Sequence, residues 1–375
     1  MPNTMGKGFE NFFLLPASIA VVLLCTIGGS GRVAETLVER NLASLRGEQN
    51  QTATKSESQT PADPQVKTVL DKMAAAGVAR PTTVEDVRKA YLFYPTLSGS
   101  PENIFRIEDR EIPGPAAKGS IRVRVYSPNP TSGLPIFVFF HGGGFVAGSL
   151  DTYDTPLRSV AIRCQCIVVS VAYRLAPENK YPAAPDDAYA ATKWVAEHGS
   201  EIGGDPYRIA VGGDGAGGNL AAGVTLMARE RGAPRLIFQV LIYPTLDAST
   251  MRPVWWEETD VPTVTRDVKN DILRLYLPVT GNLRDPYVAP LHAETLKNLP
   301  AALVITYEDN PMHDEGDEYA TRLRQDGVVA NVSFYPNMIH GFFLMAGDLA
   351  AGKKCIDEVA SALRNAFKGA SQNLP

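Results

Sequence analysis

Residues 105–335 contain segments with two kinds of hydrophobic pattern, both typical of β-strands. Apolar and polar residues alternate over 105–112 and 121–126, which is typical of antiparallel strands with one face in the core. Ile136–Phe140 is continuously apolar, like a strand buried on both faces of a sheet. Similar, mostly apolar segments are Ile167–Val171, Ile209–Val211, Phe238–Ile242, Ala302–Ile305 and Val332–Tyr335. Helical stretches such as 183–198 and 315–325 lie between several of them. The alternation of strands and helices along the chain predicts a mostly parallel sheet with helices on both faces.

The N-terminal part of the chain is built differently. Residues 12–29 are apolar and uncharged and follow Lys7, which favours a signal peptide or an uncleaved signal anchor within 1–30 over a buried helix. Such a segment predicts a secreted or periplasmic protein, or one tethered to a membrane. Residues 31–65 are predicted to be a disordered linker, because 47–65 are rich in Gln, Thr, Ser and Glu.

A folded domain is predicted over 66–370. Apolar residues at helical spacing in 66–73, and a Pro-Thr-Thr start before Val84, predict helices ahead of the sheet. These helices, within 66–100, could cover either the edge of the sheet or its active-site face.

Composition excludes some function classes. The chain has 375 residues, of which 45% are hydrophobic, and a net charge of −5 with no long basic run. A nucleic acid is therefore not an expected partner. Cys25, Cys164, Cys166 and Cys355 lack zinc-site spacing, so no metal site is predicted. Cys164 and Cys166 lie too close in sequence for an easy bridge, and free thiols are expected after loss of the leader.

A glycine-rich stretch over 211–220 joins a short apolar strand to a small-residue helix. Strand, sharp turn and helix are the layout of a nucleophile elbow, which reads Gly-x-Ser-x-Gly. Here the five residues are Gly213-Asp214-Gly215-Ala216-Gly217, with glycine at the centre. Glycine-rich turns also hold phosphates or permit close packing, so this stretch alone leaves the function open.

A second glycine run follows the apolar strand at 136–140 directly. In His141-Gly142-Gly143-Gly144, glycines allow backbone N–H groups to converge on one point. Converging donors stabilise the oxyanion of a tetrahedral intermediate. Its position after a strand and before the elbow is the order that an α/β-hydrolase requires.

Six motifs carry a family resemblance. They are His141-Gly142-Gly143-Gly144, Tyr173-Arg174-Leu175-Ala176-Pro177-Glu178, Gly204-Asp205-Pro206, Gly213-Asp214-x-Ala216-Gly217-Gly218-Asn219, Asp314-Glu315-Gly316 and Met338-Ile339-His340-Gly341-Phe342-Phe343. In this set and order, the chain resembles the bacterial hormone-sensitive-lipase family of α/β-hydrolases. The resemblance implies an α/β-hydrolase fold with a helical cap, here 66–100 and about 247–290 with Trp255 and Trp256. It also implies a carboxylesterase or lipase for short or medium acyl chains, without cofactor or metal.

The resemblance assigns a role to each matching position. Gly143 and Gly144, with the N–H of Ala216, would form the oxyanion hole, and His340 would be the general base. The nucleophile position is Gly215 and the acid position is Asn310. His198, His292 and His313 have no such context and are expected at the surface.

Both departures affect catalysis. Gly215 has no side chain, so no acyl-enzyme can form there. Asn310 can accept a hydrogen bond from imidazole but cannot compensate its charge. Asp309 is adjacent, but successive side chains diverge, so it is a poor substitute for an acid at 310. Asp214 should point away from the site.

Three hypotheses follow. The chain is a non-acylating protein that binds a small ester or other carbonyl compound, or a hydrolase in which His340 activates water. In the third, Gly215 and Asn310 were introduced into an active esterase. The oligomeric state is not predicted.

Overall fold

The computed structural model describes residues 63–78, 83–115, 119–248, 272–308 and 313–371. They lie within one contact unit, 60–375. The predicted leader, nearly all of the predicted linker, Trp255, Trp256 and Asn310 lie outside the described residues. No described helix is both long and apolar enough to cross a membrane. The boundaries predicted for leader, linker and domain therefore stay predictions.

One sheet runs through the described part of the chain. Its strands are β1 (Arg106–Pro113), β2 (Ser120–Ser127), β3 (Leu134–Phe140), β4 (Ile167–Ala172), β5 (Gly204–Asp214), β6 (Phe238–Ile242), β7 (Ala301–Tyr307) and β8 (Ala330–Tyr335). Their order is β1-β2-β4-β3-β5-β6-β7-β8. The β1–β2 and β2–β4 pairs are antiparallel, and β4, β3 and β5 to β8 run parallel. The predicted mostly parallel sheet is confirmed.

Helices cover both faces of this sheet. Their bounds are α1 (Pro64–Ala75), α2 (Val84–Phe93), α3 (Asp154–Cys164), α4 (Ala183–His198), α5 (Ala216–Arg231), α6 (His313–Gln325) and α7 (Ala350–Ser371). Side chains of β3 alternate between two apolar clusters, as the period of a strand requires. Val138 and Phe140 belong to the cluster that includes α4, α5 and α6. Phe137 and Phe139 belong to the cluster that includes α1, α3 and α7.

The last strand differs from its prediction. The mostly apolar segment 332–335 predicts a strand buried on both faces, but β8 lies at the edge of the sheet, where β7 is its one partner among the described strands. Phe334 is 47% exposed there, while Tyr335 is buried. A mostly apolar segment therefore does not show that both faces of a strand are covered.

The N-terminal helices reach the loops that carry the predicted site. Thr83 caps α2 as expected: its hydroxyl accepts the N–H of Asp86, and the Asp86 carboxylate accepts the N–H of Thr83. Within α2, Arg88 donates to the carbonyl of Val146 at 2.9 Å. Of the two positions predicted for these helices, α2 therefore takes the one beside the loop after β3.

The cysteine prediction is wrong for one pair. Cys164 and Cys166 form a disulfide, and their Cα atoms are 5.3 Å apart. The reason is Gln165, whose left-handed backbone (φ 58°, ψ 45°) folds the chain back after α3. That brings the Cα atoms into the range of an ordinary disulfide. Cys355 is a buried free thiol.

Candidate active site

The predicted site residues meet beyond the carboxyl ends of strands β5 and β8, which are separated in the sheet by β6 and β7. Gly215 follows β5, and His340 lies on the loop after β8. A Cβ atom on Gly215 would lie 3.6 Å from Nε2 of His340. Folding therefore brings together two residues that are 125 positions apart along the chain. Asn310, at the predicted acid position, lies outside the described residues.

The turn at Gly215 has elbow geometry. Gly215 adopts φ 54° and ψ −116° directly before α5. This conformation resembles the first central residue of a type II′ turn, where glycine is favoured. Its N–H donates to the carbonyl of Ile242 at 2.9 Å, and its carbonyl accepts the N–H of Thr245 at 3.2 Å. Hydrogen bonds on both sides hold the turn in place.

Two flanking glycines permit close packing of this turn on β3. A Cβ on Gly213 would lie 2.3 Å from the carbonyl oxygen of Phe140, and one on Gly217 would lie 1.9 Å from it. Neither distance is possible for a real side chain. By contrast, a Cβ on Gly215 meets only the ring of His340, at ordinary contact distance. The elbow is thus closed to side chains at its flanks and open at its centre.

The loop after β3 also depends on glycine. Gly143 has φ 114° and Gly144 has φ 60°. A Cβ on Gly143 would lie 2.2 Å from the carbonyl oxygen of Ala147, and one on Gly144 would lie 2.8 Å from Cδ1 of Ile272. The carbonyl of Gly143 accepts two N–H groups, from Val146 at 3.0 Å and Ala147 at 2.9 Å. The close approach of Gly143 to the Ala147 carbonyl and the positive φ at both positions favour glycine in this tight turn.

A buried carboxylate ties this loop to the elbow. Asp214 accepts the N–H of Gly142 at 2.8 Å and the hydroxyl of Tyr153 at 2.9 Å. Burial raises the pKa of Asp214 to about 7, against the effect of these hydrogen bonds. The expectation that Asp214 points away from the site stays a prediction; its two carboxylate oxygens are engaged by these groups. The sequence did not predict that Asp214 holds the loop in place. Tyr153, its second partner, lies outside the motifs.

His141 is a second buried brace. Its Nδ1 lies 2.8 Å from the carbonyl oxygen of Gly142, and its carbonyl accepts the hydroxyl of Tyr173 at 2.7 Å. The rings of His141 and Tyr173 stack with centroids 4.3 Å apart. Burial lowers the pKa of His141 to about 4, so the ring is neutral at neutral pH.

His340 has an unexpected partner. Its Nδ1 lies 3.1 Å from the hydroxyl oxygen of Tyr307, the last residue of β7. The ring of Tyr243 tilts against the imidazole with centroids 5.0 Å apart. Burial lowers the pKa of His340 to about 4, and the imidazole is therefore neutral at pH 7. No sequence signal pointed to Tyr307, because it stands outside the motifs.

Glu315, in the acidic motif after β7, has a structural role. Glu315 is fully buried, and its carboxylate accepts the N–H groups of Leu246 at 2.5 Å and Asp247 at 2.9 Å. It therefore fixes the chain that leaves β6 toward the predicted cap.

The remaining histidines have other surroundings. His198 pairs with Glu201 at 2.8 Å and is exposed, as expected. His292 contacts Asp247 at 3.0 Å and is only partly exposed, which differs from the surface prediction. The side chain of His313 lies outside the described residues. Among the described residues, no cluster of His, Cys, Asp and Glu is arranged to hold a metal ion.

Known proteins agree with this architecture. Residues 137–344 match the alpha/beta hydrolase fold family Abhydrolase_3. A carboxylesterase of Mycobacterium tuberculosis, NlhH, is 40% identical over 312 residues, which cover 81% of this chain and 96% of the relative. An arylesterase of Saccharolobus solfataricus is 34% identical over 271 residues, or 70% of this chain and 82% of the relative. The solved structure of a Pyrobaculum calidifontis esterase has a TM-score of 0.75 and 40% identity, covering 81% of this chain and 99% of that one. Fold, motifs and relatives together mean that the chain belongs to the hormone-sensitive-lipase family of α/β-hydrolases, the carboxylesterase and lipase type.

Proposed function

We propose that this chain is a non-acylating member of the family, which binds a small ester, lactone or other carbonyl compound without efficient turnover. The observation that carries the proposal is Gly215 at the centre of the elbow, next to His340. A serine esterase begins by attack of a side-chain oxygen on the ester carbonyl. Glycine offers no such atom. The relatives named as esterases indicate the ligand class, a carboxylic ester or a compound of similar shape.

The binding part of the site supports the proposal. We assign the N–H groups of Gly143, Gly144 and Ala216 as donors to the ligand's carbonyl oxygen. Ala216 is the first residue of α5, and the first N–H groups of a helix have no partner within it. The positive end of the helix dipole adds to the attraction for an oxygen that carries partial negative charge.

One alternative has its own support. The space beside Gly215 lies next to Nε2 of His340, where a water molecule could be activated for direct attack on the ester. An oxyanion hole and binding alone leave a residual rate about 10³–10⁴ above that in water. Such a rate is far below that of a serine esterase.

Turnover of p-nitrophenyl acetate and butyrate separates the two functions. We expect negligible turnover by the chain as it stands. Ethyl butyrate, followed by NMR, should bind saturably without release of butyrate. A turnover above about 1 s⁻¹ that disappears in His340→Ala would refute the proposal and favour activated water. Sequencing the source gene tests whether Gly215 and Asn310 were introduced.

We also propose that residues 12–29 export the protein or tether it to a membrane. The absence of charge in this segment supports the proposal. Fractionation of the cells that produce the full chain tests it: recovery only in the cytosolic fraction would contradict both export and tethering.

A further inference from the structure

The contact between Tyr307 and His340 joins two elements of the sheet. Tyr307 ends β7 opposite Tyr335 of β8, in the parallel register of these strands. It is 1% exposed, so its hydroxyl is held inside the protein. Its hydroxyl oxygen lies 3.1 Å from Nδ1 of His340. The other ring nitrogen, Nε2, faces position 215.

We propose that Tyr307 is a positioning residue that donates its hydroxyl hydrogen to Nδ1 of His340 and so keeps the ring proton on Nε2. A neutral imidazole has one N–H donor and one acceptor nitrogen, and a hydrogen bond to one nitrogen decides which tautomer is present. The phenol is the stronger donor of the two groups, since its ordinary pKa is about 10. The bare imidazole nitrogen is the stronger acceptor. The O–H···N arrangement is therefore favoured over N–H···O.

Packing restricts the orientation of the Tyr307 ring and of the imidazole. Its ring meets Tyr243 edge to face at 5.8 Å and Phe342 at 6.1 Å. The hydroxyl of Tyr243 is directed to Asp214, at 3.4 Å from its carboxylate, rather than to the imidazole. The imidazole also contacts the Tyr243 ring, which restricts its rotation. The two rings and the hydroxyl together hold one orientation of His340.

The consequence concerns what His340 offers a ligand. With the proton on Nε2, His340 donates a hydrogen bond toward the space beside Gly215 and cannot accept a proton there. A donor suits a carbonyl oxygen, whereas activation of water or serine needs an acceptor nitrogen. This consequence rests on the proposed binding function and deepens it. The tautomer itself depends only on the contact with Tyr307.

Histidine tautomers are distinguished by long-range proton–nitrogen NMR correlations in the full chain labelled with ¹⁵N-histidine. The chain has five histidines, and His340→Gln identifies the signals of His340. We expect the Nε2–H pattern in the wild-type protein near pH 7. In Tyr307→Phe we expect a mixture of tautomers, because the donor to Nδ1 is gone.

Tyr335→Phe is the matched control. Tyr335 is paired with Tyr307 in the sheet, but its hydroxyl donates to Glu358 at 2.6 Å. This variant should keep the wild-type pattern at His340. An Nδ1–H pattern in the wild-type protein would overturn the inference, and so would an unchanged pattern in Tyr307→Phe. If Tyr307→Phe does not fold, the wild-type spectrum alone decides. Either failure leaves the proposed lack of acylation intact, because turnover assays test that separately.

Discussion

The loop 141–148 and the predicted catalytic triad make opposite demands on the sequence. The loop works through backbone N–H groups and is braced by buried side chains such as Asp214 and Tyr153. The triad would work through side-chain atoms at 215, 310 and 340. At 215 the chain has glycine and at 310 asparagine, where the family has serine and aspartate. Within this chain the loop predicted to bind the ligand is folded and braced, while the sequence has no serine at 215 and no aspartate at 310.

The difference shows that the two parts are physically separable. The shape of the elbow comes from backbone hydrogen bonds and from the flanking glycines. A serine hydroxyl would add no support to that shape, because a side chain at 215 meets only the ring of His340. Glycine at 215 is therefore compatible with the fold of the elbow and of the loop 141–148.

The strongest way to break this comparison is to restore the chemistry. We expect Gly215→Ser with Asn310→Asp to raise esterase activity by several orders of magnitude. The serine oxygen returns beside His340, and a carboxylate at 310, in the role that the family resemblance assigns to it, favours the proton on Nδ1 and so leaves Nε2 free to accept the serine proton. Serine alone should give less: in a serine protease the change from aspartate to asparagine lowers kcat by about 10⁴. The measurement is kcat/KM on p-nitrophenyl butyrate for the wild-type chain, both single variants and the double variant. If the double variant stays inactive, the binding part is also incomplete.

The backbone frame should tolerate no side chain at its flanks. In Gly217→Ala the new methyl group would collide with the Phe140 carbonyl oxygen at 1.9 Å. We expect the free energy of unfolding to fall by about 3 kcal/mol, the upper end for overpacking. Denaturant unfolding of the full chain measures it.

Gly223→Ala is the control within the same helix. There a Cβ would have ordinary contacts, the nearest at 3.6 Å to the carbonyl oxygen of Tyr287. Alanine is the better helix former, so this variant should be more stable by about 0.5–1 kcal/mol. Equal effects of the two variants would contradict the close approach of the elbow to β3.

The centre of the elbow should respond weakly. Gly215 has φ 54°, a region in which non-glycine residues are strained by about 1–3 kcal/mol. Replacing glycine also lowers the entropy of the unfolded chain, which stabilises by about 0.4–1 kcal/mol. Gly215→Ser should therefore lower the free energy of unfolding by about 1 kcal/mol.

Denaturant midpoints of Gly215→Ser and Gly215→Ala measure this backbone effect. Both variants should lose a similar amount of unfolding free energy, because the strain arises in the backbone at 215 and does not depend on the hydroxyl. A serine variant as stable as the wild-type chain would mean that the turn is relaxed, and the elbow would lose its geometric basis.

The next test concerns Asp214, which ties the loop 141–148 to the elbow. Burial raises the pKa of Asp214 to about 7, above its value of about 3.9 in an unfolded chain. Between these values the folded state binds more protons than the unfolded state, so this group lowers the stability as the pH rises from about 4 to 7. Asp214→Asn removes that dependence and keeps a carbonyl oxygen for Gly142.

Unfolding midpoints at pH 5 and pH 8 check the sign. Relative to the wild-type chain, Asp214→Asn should be more stable at pH 8 than at pH 5. His141 and His340 also titrate in this window, but they are present in both proteins and cancel in the difference. A difference that does not change with pH would mean that Asp214 is ionised throughout.

The sequence by itself determined the fold class, the order of the strands along the chain and the missing oxygen at 215. Strand and helix periods are local properties of the chain, and glycine has no side chain in any fold. Only the tertiary structure decided that β8 is an edge strand and that Asp214 braces Gly142. It also decided that Tyr307, 33 residues away along the chain, meets His340. These features depend on which distant segments become neighbours in the sheet, and neither hydrophobic period nor motif spacing carries that information.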